Sequence, residues 1–503
     1  MTALSICSSN LAKCTRRVLP PAFAGSMALF CTCLPTSPVA AQPTQTLPDL
    51  IAIIERQEEL IRRQGERIDE LERRLDDRAR GSEPSIAMLA EPAIDSVVPQ
   101  ASIPVSSDGV YDEPINRQGR TDGEIGRFPD DTVVRPGSFD NSIKIPGSLL
   151  AFRIGGFAQV DLNRSFGNGI ADGAFLPSLI RLAAPNASRT AIFADSSRLN
   201  LDVRGDTERG LFRAFIEADF NGAEGNPLTS NGDGLRLRHA YGQLGNLYAG
   251  QYWSLFSDVE SFAETLNPTS PTGKSVVRQV GIRYVGDLSA DLSYAIAAEN
   301  PASRFSGPQS TESLDNWPDL LAGMTLERDW GRIRLVGLVR ALRARTEIDG
   351  KTRPDSEIGW GLNMTGRIDL PFLGDRDNLV FGVGGGESIG RYHLELAFDG
   401  LDGTVSADGT LQTVPTWTAH AGYQHWWSNT LRSTATYGLI VVGRTQSLDD
   451  DDPRMLQSGT VNLVWSPVAM VDLGAEIVIG ARETQSGEQA DASRLQFLGR
   501  FRF

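Results

Sequence analysis

The sequence predicts an all-β fold, a 16-stranded antiparallel transmembrane β-barrel with an N-terminal α-helical coiled coil. Three observations predict it: two-residue alternation of apolar and polar side chains after Ser148, connections that alternate long and short, and a heptad pattern near the N-terminus.

The N-terminal segment comes first. Lys13, Arg16 and Arg17 precede a mostly apolar run from Val18 to Leu34, and Val39-Ala40-Ala41 offers small residues just before Gln42, the layout of a secretory signal peptide over residues 1–41. No later apolar stretch reaches the roughly 20 residues of a membrane-spanning helix. All four cysteines (Cys7, Cys14, Cys31, Cys33) fall before the cleavage point, so the mature chain has no thiol and no disulfide framework. Removing that segment's three bases turns the formal charge of -15 into -18, since -15 minus 3 is -18. An acidic chain of this kind excludes nucleic acid as a partner.

Leu47, Ile54, Ile61, Ile68 and Leu75 recur every seven residues, with Leu50, Gln57, Gln64 and Leu71 at the intervening core positions. Thr46 and Pro48 mark a start and Gly81 a stop, giving a periplasmic coiled coil over residues 46–81. Ile at a with Gln at d leans towards three strands. Residues 82–140 are rich in Pro, Gly, Ser and Asp and read as a linker, and residues 141–503 as the barrel domain.

Within the barrel, Phe152, Ile154, Gly156, Ala158, Val160 and Leu162 share one face of an extended segment, opposite Arg153, Gln159, Asp161 and Asn163. Phe212 to Phe220, Ile358 to Ile368 and Val471 to Ile479 repeat the pattern. Strands are expected at about 150–163, 197–205, 211–221, 235–244, 247–256, 276–286, 288–299, 319–328, 332–343, 357–369, 378–389, 414–427, 430–443, 456–466, 470–482 and 493–503. Odd-numbered junctions, such as 164–196, 257–275 and 390–413, are long, whereas even-numbered ones, such as 245–246 and 428–429, are tight. One rim facing the cell exterior and one facing the periplasm produces that rhythm. An even strand count puts both barrel ends on the short-turn rim, beside a periplasmic coiled coil.

The last strand alternates Leu495, Phe497, Gly499, Phe501 and Phe503 with Arg494, Gln496, Arg500 and Arg502. A final aromatic such as Phe503 resembles the signal by which the barrel-assembly machinery recognises its clients and inserts them into the outer membrane. Trp253, Tyr284, Tyr294, Trp360, Trp417, Tyr423, Trp427, Tyr437 and Trp465 sit near strand ends or on outward faces, where aromatic girdles form.

Leu235-Arg-Leu-Arg-His-Ala-Tyr-Gly-Gln-Leu244, Leu247-Tyr-Ala-Gly-Gln-Tyr-Trp-Ser-Leu-Phe256 and Val277-Arg-Gln-Val-Gly-Ile-Arg-Tyr284 together resemble the central signature of the DcaP-like family of trimeric outer-membrane porins. The likeness runs loosely over residues 140–503. Asn267-Pro-Thr-Ser-Pro271 departs from it, standing where a more acidic and aromatic loop is expected. The resemblance implies a homotrimer passing small anionic solutes, including dicarboxylates, across the outer membrane.

If greasy faces meet lipid, the opposite faces line the lumen. That parity turns Arg153, Arg198, Arg204, Arg213, Arg236, Arg238, Arg283, Arg334 and Arg340 inward as pore-lining, substrate-selective groups, with Arg432, Arg482 and Arg494 beside them. Guanidinium stays charged and holds carboxylates with paired hydrogen bonds. Inward Asp161, Asp202, Glu217, Asp219 and Glu476 offer them internal partners. The third long loop, with Asp258, Glu260, Glu264 and Lys274, is the expected constriction. Asp449 to Asp452 is read as a solvated acidic run that contacts lipopolysaccharide at most, since it lacks the spacing of a calcium loop. His239, His393, His420 and His425 lack metal spacing and read as structural, so no metal or cofactor is expected. An outer-membrane enzyme is set aside because no catalytic cluster is recognised. A sugar-selective porin and a tether between outer membrane and cell wall are the competing readings.

Overall fold

The computed structural model describes residues 135–503, apart from 145–146, 168–172, 183–187, 227–231 and 309. The expected signal peptide, the coiled coil with its core of Leu47, Ile54, Ile61, Ile68 and Leu75, and most of the linker lie outside the described residues.

Alternating side chains give sixteen long strands: β1 (Leu150–Gly167), β2 (Arg198–Thr207), β3 (Gly210–Asn226), β4 (Gly232–Leu244), β5 (Leu247–Trp253), β6 (Arg278–Asp287), β7 (Leu292–Glu299), β8 (Asp319–Arg328), β9 (Gly331–Ile348), β10 (Lys351–Asp369), β11 (Asn378–Glu387), β12 (Pro415–Trp426), β13 (Leu431–Val442), β14 (Pro453–Val468), β15 (Val471–Thr484) and β16 (Gln489–Arg502). Each pairs antiparallel with the next. β16 pairs back onto β1, from Phe157 opposite Arg502 to Gly167 opposite Ala492, so the cylinder closes and no long edge is left bare. Phe503 itself exchanges backbone hydrogen bonds of 3.1 and 3.3 Å with Gly156.

The burial pattern is that of a soluble protein turned inside out. Ile154, Leu235, Ile282, Ile358 and Ile479 are each 58–68 % exposed, while Asp161, Asp202, Glu217 and Glu476 on the opposite faces are buried. Such a surface is stable only against hydrocarbon. Exposed Trp360, Trp417 and Tyr437 stand towards the long-connection rim and Trp427 and Trp465 towards the other, where belts of ring side chains meet the interfaces. Trp253 departs from the girdle expectation, because it is 6 % exposed and turned in against Arg278.

Two expected long loops are instead prolonged hairpins. β9 and β10 pair as far as Ile348 and Lys351, turning at Asp349 (φ 52°) and Gly350 (φ 70°), and β15 and β16 run to Thr484 and Gln489. Polar side chains on both faces hid these extensions from a reading based on alternation. Beyond the bilayer neither face meets lipid, so alternation lapses while backbone pairing continues.

Two connections that do form loops fold inwards. The loop after β5 packs Leu255 and Phe256 on Leu321, Val336 and Leu338 of the inner wall. The loop after β11 carries a short helix, α1 (Leu394–Ala397), whose Leu396 sits with Leu401 against Ile440, Val442 and Leu456. These apolar clusters are the core, and they lie inside the cylinder.

Candidate functional site

On the inner wall of β1–β4, arginines meet carboxylates in an uneven ratio. Arg204 and Arg213 both fork onto Asp202, each through Nη2 at 2.9 Å. Arg236 donates two hydrogen bonds to Asp219 at 2.9 and 2.8 Å, and Arg238 bridges Glu217 (2.7 Å) and Asp219 (2.6 Å). Arg198 lies 3.8 Å from Glu217. Arg153 is 7 % exposed, and its Nε and Nη2 have no hydrogen-bond partner. Forked contacts of this kind fix each guanidinium plane.

A β-bulge decides which β4 side chains join this wall. Glu217 opposes His239 while Ala218 opposes Leu237, so Arg238 is the extra residue. The phase of β4 shifts there, and Arg236 and Arg238 as well as His239, Tyr241 and Gln243 turn inwards. Strict alternation continued from Arg236 and Arg238 would put Tyr241 on the lipid side. The polar pair His239 and Gln243 on a supposedly greasy face was the available signal. Phe215, Tyr241 and Tyr252 pack in tilted contacts along the wall, with the Arg213 guanidinium 4.9 Å from the Phe215 ring centre and that of Arg283 5.2 Å from Tyr252. Arg283 also lies 3.8 Å from Glu299.

The loop after β5 reaches across to the far wall. Glu299 accepts from Ser254 Oγ and the Leu255 amide, both at 2.7 Å, and so fixes the start of the loop. Asp258 accepts from Arg332 Nη1 (2.7 Å) and Thr365 (2.5 Å), reaching β9 and β10. Glu264 is held by Arg432 and by Gln424 Nε2 (2.6 Å) of β13 and β12. Glu476 of β15 accepts the Leu266 and Asn267 amides at 2.8 Å each. Lys274, 3 % exposed, donates to the Ser270 carbonyl and lies over Phe262. The four charged loop residues singled out from the sequence are therefore brought against the β9–β15 side, opposite the arginine wall.

Their charges differ accordingly. Burial works to raise the Asp258 carboxyl, but the Arg334 and Arg332 guanidiniums outweigh it and hold Asp258 well below the usual carboxylate range. Burial pushes Glu260 up to about 7 against the pull of Arg332, with Asp258 and Glu327 adding to the rise. Burial lowers Lys274 to about 8, opposed by Glu395 and Glu476.

Arg334 caps the loop, donating to the Leu255 (2.6 Å) and Ser257 (3.2 Å) carbonyls. Arg340 departs from its expected place on the water path. Its side chain is 0 % exposed, 2.5 Å from Asp402 and 3.4 Å from Asp319. Asp402 arrives on the loop after β11, so this arginine fastens that loop to the wall. Arg278 and Arg332 also belong to the inner surface; Arg332 went unread because it falls at a strand start, and Arg278 because parity puts it on the face opposite Arg283.

One motif also needs correction. Gly386-Glu387-Ser388-Ile389-Gly390 fits the Gly-x-Ser-x-Gly spacing of a nucleophile elbow, and Ser388 has φ 63°. Yet Ser388 is 0 % exposed, and neither its hydroxyl nor either ring nitrogen of nearby His393 has a hydrogen-bond partner. Without an engaged base or access, the elbow serves a sharp turn under the loop. Among the described residues no cluster of three or more His, Cys, Asp or Glu is placed to hold a metal ion.

A closed sixteen-stranded barrel, apolar outside, charged within and crossed by an inward loop, defines a membrane channel of the porin class. The profile of the DcaP outer membrane protein family matches residues 178–503, and the chain belongs to that family. The outer membrane channel DcaP of Acinetobacter baumannii aligns over 71 % of this chain and 98 % of its own, at 22 % identity and a TM-score of 0.62, a likeness of fold. The anion-selective porin from Comamonas acidovorans aligns at 10 % identity over 70 % of this chain and all of its own, with a TM-score of 0.47. OmpT of Vibrio cholerae aligns at 11 % identity over 71 % of this chain and 98 % of its own, with a TM-score of 0.43. No curated protein matches the sequence.

Proposed function

We propose that this chain is a homotrimeric outer-membrane porin for diffusion of small hydrophilic anions, dicarboxylates among them, and not an enzyme. One observation carries the preference for anions. Among the described residues, the inner side of β1–β6 holds eight arginines (Arg153, Arg198, Arg204, Arg213, Arg236, Arg238, Arg278, Arg283) against six carboxylates, four on the wall (Asp161, Asp202, Glu217, Asp219) and two at the turn ends of their strands (Asp206, Asp287). Low-dielectric walls focus such an excess into the aqueous gap, beyond the reach of full salt screening.

The same pairs keep passage fast. A solute carboxylate entering this gap exchanges water for guanidinium N–H groups, but each fork already has an internal acid competing for it. No single arginine binds too tightly, and the anion steps from the Asp219 group to the Asp202 group along the wall. The inward loop, with Asp258, Glu260, Glu264 and Lys274, narrows the bore to the strip beside these arginines. The trimer and the dicarboxylates are what membership of the family suggests.

The test is reversal potential across a planar bilayer in a potassium chloride gradient. The native protein is expected to favour chloride and to insert with conductance in steps of three. Replacing both Arg236→Gln and Arg238→Gln strips Asp219 of its two forks and leaves Glu217 only Arg198 at 3.8 Å, and the preference should fall towards zero. An unchanged reversal potential in the double variant removes the arginine wall from selectivity.

A further inference from the structure

We propose that Phe139 and Asp140, on a hairpin that precedes the barrel, set how firmly the periplasmic end of the arginine wall holds an anion; this rests on the porin reading above. The hairpin is made of Arg135–Pro136 and Ile143–Lys144, which pair antiparallel with each other. Ile143 and Lys144 also pair with Phe152 and Ala151 of β1, just beyond the point where β16 ends against Phe157 and Gly156. The hairpin therefore continues the last strand along the same edge of β1. Its turn folds to the inner side. The Gly137 amide donates to the Ser142 carbonyl at 2.8 Å, Ser142 Oγ donates to the Phe139 carbonyl at 2.5 Å, and Asn141 takes a left-handed backbone (φ 57°). A Cβ added to Gly137 would lie 2.8 Å from that of Ala151, which shares the inward face of β1 with Arg153 and is 1 % exposed. The turn is thus pressed against the lumen wall.

From there the hairpin addresses the last group on the wall. The Phe139 ring centre lies 4.8 Å from the Arg204 guanidinium. Arg204 and Arg213 share Asp202, and Arg153 is the register partner of the same acid, so three guanidiniums gather at one carboxylate. Asp140, exposed beside Phe139, stands within electrostatic reach of Arg153. The hairpin therefore offers this group what a passing solute offers, a carboxylate, together with a ring that keeps water from one face of Arg204. The rings against Arg213, those of Phe215 and Tyr241, belong to strands closed into the cylinder. The hairpin joins β1 through two register pairs, so its ring and its acid are the parts of this group that can withdraw without opening the barrel. An anion that reaches the Asp202 group competes there with a resident acid and a resident ring. That competition shortens its stay and favours release to the periplasm.

The experiment measures reversal potential and current interruption by succinate through the purified full-length protein in a planar bilayer, for the native chain, Phe139→Ala, Phe139→Tyr and Asp140→Asn. Removing the ring or the acid should raise the chloride-to-potassium permeability ratio about two- to fivefold and lengthen succinate interruptions by a similar factor. Phe139→Tyr keeps a ring face and should rescue the native ratio. In an Arg204→Gln background Phe139→Ala should add nothing, because the guanidinium it uncovers is gone; the same rise in that background overturns the proposal, since the ring then acts as an obstruction alone. Native values in both Phe139→Ala and Asp140→Asn overturn it as well. A chloride-selective pore indifferent to both changes sinks the hairpin alone, whereas absence of any conductance in the native protein sinks the porin reading with it.

Discussion

Arg340 is enclosed between Asp402 and Asp319, and the Tyr392 hydroxyl donates to Asp319 at 2.8 Å. Taking one partner from a buried ionic group leaves the others desolvated and unpaired, which costs about 3–5 kcal/mol. Arg340→Gln is therefore expected to lower stability by about that much in guanidinium unfolding from detergent micelles, without moving the reversal potential. A large shift in selectivity would return Arg340 to the water path. The sequence disclosed which face this residue occupies, because parity along β9 is unbroken. It did not disclose that water is kept away, since Asp402 is brought in from another connection. The same limit applies to Trp253, whose burial depends on Arg278 and on the turn into the inward loop. Arg236 and Arg238 were legible as inward groups; Tyr241 was not, because a single extra residue at the bulge reverses the phase and no pattern of period two registers that.

Among the elements, the loop after β5 is the one to which the proposed function gives control of the bore. It is held by acceptors that belong to the wall, and Glu476 is the most exacting of them, taking two adjacent backbone amides. Glu476→Ala strands those amides and costs on the order of 1–3 kcal/mol locally. One to two kcal/mol raises the detached population about 5–30-fold. Single-channel records of the variant should show frequent excursions to higher conductance, and a record as quiet as that of the native protein would mean the other anchors suffice. The strands were readable from alternation, and the length of this loop marked it as the one expected to fold inward. The inward course of the loop after β11 was not, because its Leu396 and Leu401 meet the wall only once the cylinder has closed.

For the whole molecule, the balance between the two sides of the bore should respond to pH near neutrality. Most carboxylates on the loop side are neutralised by arginines, Asp258 by Arg332 and Arg334 and Glu264 by Arg432. Glu260 shares Arg332, 3.2 Å away, with Asp258 and Glu327, and burial raises it to about 7. Above that pH Glu260 is charged and offsets part of the arginine excess; below it the group is neutral and the offset is gone. Acidifying from pH 8 to pH 6 should therefore increase the preference for chloride. Lys274, which gains its proton below about 8, acts in the same direction, as does Glu395, raised by burial to about 7. Glu260→Gln separates the three: the variant should be more chloride-selective than the native protein at pH 8 and should change less on acidification, the remaining change coming from the buried Lys274 and Glu395. A pH response undiminished in Glu260→Gln would place the titrating charge on those two residues, behind the loop and not on its face.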